Sequence, residues 1–330
     1  MNARTLSWFT AGMVMAASLP APCRQEAGAT SQVKVDSGTF GAVEARAIGP
    51  ATMSGRIAAM AGNPKDPRIL YVGAASGGLW KTVNGGTTFK PVFDRYNQSI
   101  GAVAVDPSKP DSGKPDSGKP DTVWVGTGEP WVRNSVSVGN GIYKSTDAGE
   151  TWQFMGLPDS ERITRIVVDP KDSNTVYVAV PGKLWSSSEH RGLYKTTDGG
   201  KSWKKILYVD ADTGCSDVDI DPQETQIVYA GMWTFRRWPW FFKSGGPGSG
   251  LYRSADGGKT WERIKEGMPE GELGRIAVAV SPARPSTVWA LIEAKKSALY
   301  RSDDAGRTWT SVNTGNCLLY TSDAADEEDS

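Results

Sequence analysis

An eight-residue phrase returns five times along this 330-residue chain. It stands at Thr82–Phe89, Ser145–Trp152, Thr196–Trp203, Ser254–Trp261 and Ser302–Trp309, and reads S/T-x-D/N-x-G-x-T/S-W/F. Self-similarity at a spacing of roughly 40–60 residues marks a radial or stacked repeat architecture, in which one supersecondary unit buries its faces against copies of itself. That excludes most single-core folds before any other residue is considered.

Three short apolar runs accompany each copy. One precedes the phrase directly: Leu79-Trp80-Lys81, Ile142-Tyr143-Lys144, Leu193-Tyr194-Lys195, Leu251-Tyr252-Arg253 and Leu299-Tyr300-Arg301. Another ends in a proline turn, as in Ile166-Val167-Val168-Asp169-Pro170, and the third reads like Val176-Tyr177-Val178-Ala179. The runs are β-branched and aromatic and bounded by Gly, Pro, Asn or Asp, which is a strand signature. With a strand opened by the closing aromatic, each unit has four strands, A to D. The expected fold is all-β: a β-propeller of four-stranded antiparallel blades, with five blades present of a longer ring of seven or more. The phrase is then the C–D turn. Asn84, Asp147, Asp198, Asp256 and Asp304 accept turn N–H groups, the glycine two residues on supplies positive φ, and the Trp or Phe is a plate to bury between sheets. These five side chains are structural, not catalytic.

The flanks read differently. Arg4, the mostly apolar Leu6 to Leu19 and Ala27-Gly28-Ala29 form an export signal over 1–29, so a secreted, periplasmic or extracellular location is expected. Lipoprotein anchoring at Cys23 is disfavoured by Pro20-Ala21-Pro22 before it, and the apolar run is too short for a membrane span. Residues 30–44 read as a linker and 45–312 as the incomplete propeller. Within it, 108–121 repeat Ser-Gly-Lys-Pro-Asp, a polar expansion of one A–B loop. Residues 313–330 break the repeat grammar and are expected to be a non-native or disordered tail, following blades of the same chain being absent. With 37 basic and 37 acidic residues, the chain lacks the strongly basic domain that nucleic acid binding wants.

The phrase resembles the Asp-box, or bacterial neuraminidase repeat, of sialidases, xyloglucan-cleaving propellers and the sortilin family. Ala47-Ile48-Gly49-Pro50, Ser54-Gly55-Arg56, Gly77-Gly78-Leu79-Trp80-Lys81, Gly126-Thr127-Gly128-Glu129, Arg191-Gly192-Leu193-Tyr194 and Ser244–Gly250 are similar to the sortilin-type propellers secreted by bacteria and grouped with glycosyl hydrolases. That resemblance implies a carbohydrate-active propeller, with a peptide- or protein-binding scaffold as the alternative. The xyloglucan-cleaving relatives carry a catalytic Asp in the first blade where this chain has Ala75 within Gly73–Gly78, which puts that activity in doubt. Arg56-Ile57-Ala58 is only a partial echo of the sialidase arginine signal.

Function is expected on the face opposite the boxes, where the B–C loops are long and irregular. Glu129, Glu189 and Asp212 are the candidate catalytic carboxylates, since glycoside hydrolysis uses a pair. Candidate ligand contacts are Arg56, Trp131, Arg133, Trp185, His190, Arg191, Trp233, Arg236, Arg237, Trp238, Trp240 and Arg275: indole plates for sugar C–H faces and guanidinium forks for carboxylates. A glycan, or a peptide with a free carboxyl group, suits that inventory. Each has a plainer reading too. Glu129 serves its own turn, Trp131, Trp185 and Trp233 cap blade ends, and Arg56 and Arg275 make bonds in the central channel. The cluster Trp233–Phe242 is expected as a loop that either covers the face or meets a neighbouring domain. His190 is the sole histidine and no Cys cluster exists, so no zinc site is expected. Asp210–Gly214 faintly resembles a calcium loop without its downstream ligands, so no cofactor is expected, with calcium as the minor alternative.

Overall fold

The computed structural model describes residues 56–107 and 122–313. The leader 1–29, the linker 30–44, Cys23, the expansion 108–121 and the tail from 314 lie outside the described residues. The described part is five antiparallel sheets. Blade one is β1 (Ile57–Gly62), β2 (Leu70–Ala74), β3 (Gly78–Thr82) and β4 (Lys90–Pro91); blade two is β5 (Ile100–Val105), β6 (Val123–Thr127), β7 (Ile142–Ser145) and β8 (Gln153–Phe154). Blade three is β9 (Arg165–Asp169), β10 (Asp172–Val180), β11 (Gly192–Thr196) and β12 (Lys204–Leu207). Blade four is β13 (Thr213–Ile220), β14 (Val228–Trp238), β16 (Gly250–Ser254) and β17 (Glu262–Arg263), with β15 (Phe241–Ser244) added to β14. Blade five is β18 (Ile276–Val280), β19 (Val288–Ile292), β20 (Ala298–Ser302) and β21 (Thr310–Asn313). Strand D starts after the box aromatic in every blade, and the last one reaches Asn313, one residue into the expected tail.

The cores lie between sheets because strand side chains alternate in direction. In β10, Val176 and Val178 pack with Trp124 and Ile142 of blade two, while Tyr177 and Ala179 pack with Val218 and Val228 of blade four. Strand β10 is therefore apolar on both faces and feeds two cores, at about 1.5–3 kcal/mol for each large side chain fully buried.

Box chemistry repeats closely. In blade three, Thr196 Oγ1 donates to Asp198 (2.7 Å), which also accepts Ser202 N–H (3.0 Å) and Ser202 Oγ (2.6 Å). These bonds, that from the Ser202 hydroxyl foremost, hold the Asp198 carboxyl well below the usual carboxylate range. The position after each box Asp or Asn is left-handed in all five copies: Gly85, Ala148, Gly199, Gly257 and Ala305. That turns its carbonyl toward the preceding blade, where a strand-B aromatic and a strand-C cation meet it. Tyr71 and Lys81 donate to Ala148 O (3.1 and 2.9 Å), and Lys144 to Gly199 O (3.2 Å) above the Trp124 ring. Tyr177 and Lys195 donate to Gly257 O (3.4 and 2.8 Å), and Tyr229 and Arg253 to Ala305 O (2.7 and 2.9 Å). One clasp thus joins each successive pair of described blades. The box aromatics reinforce it: Trp152 Nε1 reaches Val92 O and Trp203 Nε1 reaches Met155 O, both at 2.7 Å, in the blade before. Phe89, with no described sheet before it, stays 42% exposed.

Asp217 and Asp219 of β13 reach across to the edge strand β18 of blade five. Their Oδ2 atoms accept Val278 N–H (2.9 Å) and Val280 N–H (2.8 Å). Box turns and A–B loops share a face, since Gly85, Gly199, Gly257 and Ala305 N–H groups bond Arg68, Asn174, Gln226 and Ser286 carbonyls. The B–C connections hold the other face.

Candidate functional site

On that opposite face, the expected loop Trp233–Phe242 is instead a β-hairpin. Strand β14 runs on to Trp238, turns through Pro239-Trp240, and returns as β15 with Phe235 opposite Ser244 and Trp238 opposite Phe241. Pro239 falls in the turn, where its missing N–H costs no ladder bond. Trp233 and Phe235, two apart and so on one side, stack at 4.2 Å, with Phe242 at the Trp233 edge. Trp240 (82% exposed) and Phe241 (55%) form the tip. Arg236 lies over Trp238 (5.0 Å) and Arg237 over Phe242 (5.5 Å).

The blade-two loop 128–141 leans across to this hairpin. Arg237 donates to Asn134 Oδ1 (2.5 Å) and Val132 O (3.0 Å), and Val132 and Val136 pack against Leu184, Trp233 and Phe235. Arg275, at the start of blade five, stacks between Trp131 (4.7 Å) and Trp233 (5.5 Å). Its backbone N–H donates to Glu293 Oε2 (2.7 Å), which also accepts Ser244 Oγ (2.7 Å); Ser244 in turn accepts the Trp233 indole N–H (3.0 Å). Residues of blades two, four and five therefore converge, and one relay of hydrogen bonds fixes the Trp233 plane.

Two expected ligand contacts are corrected here. Arg191 is fully buried and donates to the carbonyls of Asp212 (3.1 Å), Lys183 (2.5 Å), Ser186 (3.3 Å) and Phe235 (3.4 Å). Burial lowers its pKa to about 10, and it pins the hairpin base to the blade-three loop. Trp233 is 2% exposed and serves as the wall behind Arg275. Trp185, His190 and Trp240 are exposed, whereas Trp131, Arg133, Arg236, Arg237, Trp238 and Arg275 are half-buried.

The carboxylates divide into two places. Glu129 is buried, gives its N–H to Ser137 O (3.0 Å) and pairs with Arg56. Ala75, also buried, donates its N–H to Arg56 O (2.9 Å). Glu189 and Asp212 stand instead at the blade-three rim. Tyr208 donates to Glu189 Oε2 (2.7 Å), and Ser187 Oγ to Asp212 Oδ1 (2.6 Å). Burial and the Glu189 bond push the Tyr208 hydroxyl up to about 12. His190 lies 3.9 Å from Asp159. Asp210 Oδ1 is occupied by Asp212 N–H (2.8 Å), and among the described residues no group of three or more His, Cys, Asp or Glu side chains is arranged to hold a metal ion. No described helix is long and apolar enough to cross a membrane.

Sequence reasoning passed over a cleft of about 530 Å³ bounded by Ser76, Asn97–Ser99 and Val136–Val138. Its hydroxyl and amide residues belong to three separate connections, so no local motif signals it.

The family model for the BNR/Asp-box repeat matches residues 252–263, the fourth box with its flanks. The described residues form five blades of a β-propeller fold, with a turn of this kind in each blade. A xyloglucanase of Paenibacillus sp is 25% identical over 247 residues, covering 64% of this chain and 21% of that protein. A xyloglucanase of Hypocrea jecorina is 28% identical over 222 residues, covering 62% and 25%. Among solved structures, the GH74 enzyme of Niastella koreensis superposes with a TM-score of 0.56 at 21% identity, over 77% of this chain and 38% of that one. An ancestral GH74 enzyme superposes with a TM-score of 0.57 at 20% identity, over 80% and 34%. The chain spans about a quarter of the length of the curated relatives it matches.

Proposed function

We propose that this chain is part of an exported carbohydrate-active propeller that engages a glycan on the face opposite its boxes. The observation that carries the reading is the blade-four hairpin, whose tip offers Trp240 and Phe241 to solvent beside guanidinium groups that stack on their neighbours. Indole faces match the axial C–H faces of sugar rings, and the guanidinium groups of Arg236 and Arg237 hold the aromatic rings of Trp238 and Phe242 in place. The names of the curated relatives favour a glycan over the peptide-scaffold alternative.

The geometry supports binding more directly than cleavage. Glu129 has Arg56 as its partner, and alanine stands at position 75. Glu189 and Asp212 belong to the rim, each held by a neighbouring hydroxyl. The test is a glycan array with a parallel hydrolysis screen on the full chain. Trp240→Ala is expected to weaken binding about tenfold, equivalent to about 1.4 kcal/mol of lost stacking, with an unchanged melting temperature. Absence of any glycan signal alongside capture of carboxylate-ended peptides would overturn the reading.

A further inference from the structure

The connection from blade two to blade three carries a buried cation that neither the clasps nor the hairpin uses. It lies among the B–C loops, since Glu161 O accepts the Gly139 N–H (2.7 Å) of the blade-two loop. Arg162, the next residue, is 0% exposed and donates from Nη1 to Gly182 O (2.8 Å) in the blade-three loop. Its Nε and Nη2 are also buried and have no hydrogen-bond partner among the described residues. These two N–H groups lie side by side on one edge of the planar guanidinium, so both point the same way. The Glu161 carboxylate stands 3.6 Å from Nη1, beyond a hydrogen bond and nearest the nitrogen already in use.

A second buried cation adjoins the first at Gly182. A Cβ on that glycine would stand 2.5 Å from Arg191 Cγ, so the Arg191 stem passes the residue on which the Arg162 head rests. The four carbonyl bonds of Arg191 use Nη1 and Nη2, and its buried Nε is likewise without a partner among the described residues. Burial, offset in part by Asp212, lowers the Arg191 pKa, and the Arg162 charge lowers it further. Ser160, two residues before Arg162 and 3% exposed, adds a hydroxyl in the same condition.

A guanidinium taken out of water costs several kcal/mol unless a counter-charge and hydrogen bonds replace its hydration. Arg191 has four carbonyls in place of that hydration; Arg162 has one. A water molecule could accept both N–H groups on the open edge, but it brings no charge to a place where two cations meet. A monovalent anion accepts the same two bonds, in the charge-assisted form that is about twice as strong, and balances the pair. Complete burial favours an ion small enough to be enclosed as the chain folds.

We propose that the Nε–Nη2 edge of Arg162, beside Arg191, holds a halide-sized monovalent anion as a structural ion. Arg191 also bonds Phe235 O at the base of the blade-four hairpin, so the ion underlies the element that carries Trp240 and Phe241. The inference stands apart from the glycan reading and does not depend on it.

The experiment is thermal melting of the full chain in sodium chloride, sodium bromide and sodium gluconate at equal ionic strength, gluconate being too bulky for an enclosed site. Chloride and bromide should raise the melting temperature above that in gluconate, by about 5 °C when the halide is roughly a hundredfold above its dissociation constant. Arg162→Lys keeps the charge and removes the two-donor edge, so its melting temperature should no longer distinguish halide from gluconate. Should that variant fail to fold, crystals of the wild type soaked in bromide decide the matter. An anomalous peak within hydrogen-bond reach of Arg162 Nε and Nη2 supports the site, and a water in that position overturns it. Equal wild-type melting temperatures in the three salts, or an undiminished halide response in Arg162→Lys, would also overturn it.

Discussion

Asp217 offers the sharpest test of how the blades are held together. Its carboxylate accepts Val278 N–H (2.9 Å) from blade five and Val218 N–H (3.0 Å) from its own strand, with Arg165 of blade three 3.8 Å away. Burial nevertheless wins, and raises the Asp217 pKa from 3.8 to about 6. Asp219 is shifted in the same direction by the same cause. A folded-state pKa above the unfolded value means that the native protein binds the proton more tightly. The stability linked to this group is therefore complete below about pH 4 and is lost as the pH rises through about 6. A shift of roughly two units corresponds to about 3 kcal/mol. At roughly 2 °C or more per kcal/mol for a domain of this size, that is about 6 °C in melting temperature. The measurement is the melting temperature of wild type and Asp217→Asn from pH 4 to pH 7.5. Between these limits the wild type should lose about 6 °C relative to the variant, whatever fixed offset the substitution brings. A constant offset across the range would refute the account, because it would mean that Asp217 is as well solvated in the propeller as in the unfolded chain.

The clasp between blades four and five lends itself to a double-mutant cycle. Tyr229→Phe and Arg253→Met each leave Ala305 O with one donor, and should cost about 1 and about 1.5 kcal/mol in urea denaturation. Together they leave the carbonyl with neither, so the double variant should exceed the sum by about 1 kcal/mol, and strict additivity would show that water replaces the donors. Arg191→Ala removes the donor from four carbonyls and should cost about 3 kcal/mol while accelerating amide exchange in β14 and β15; a surface-like effect below about 0.5 kcal/mol would contradict the buried pin.

The residues that sequence reasoning placed well are those whose partners are local. A box Asp bonds a hydroxyl two positions before it and groups four positions after it, so the whole turn is written in one phrase. Strand assignment was equally direct, because each run is β-branched and aromatic and bounded by its own turn residues. Arg191 shows where this stops: its acceptors come from three separated segments, ending at Phe235, and nothing beside it in the chain marks it as interior. The hairpin was hidden by Pro239, which argues against a strand unless it occupies the turn. Asp217 and Asp219 alternate with apolar residues and so read as solvent-facing, yet the neighbouring blade supplies their N–H donors. The cleft gives no signal at all, since Ser and Asn in connections are the most ordinary of residues.

The left-handed position in the box links backbone strain to this assembly. Three copies have glycine there, Gly85, Gly199 and Gly257, and two have alanine, Ala148 (φ 60°) and Ala305 (φ 58°). An L-residue in that conformation costs roughly 1–2 kcal/mol. The two alanines are also the positions whose carbonyls receive two well-formed bonds, 3.1 and 2.9 Å at Ala148 and 2.7 and 2.9 Å at Ala305. Gly199 O has one cation at 3.2 Å, and Gly257 O has a short bond from Lys195 with a long one from Tyr177 at 3.4 Å. A strained residue persists where its surroundings over-determine it, and here the surroundings are the next sheet. The box face is thereby committed to joining blades: four of the five outward carbonyls, those of Ala148, Gly199, Gly257 and Ala305, receive donors from the neighbouring described blade. The opposite face differs in that its blade-four hairpin tip leaves Trp240 and Phe241 exposed to solvent.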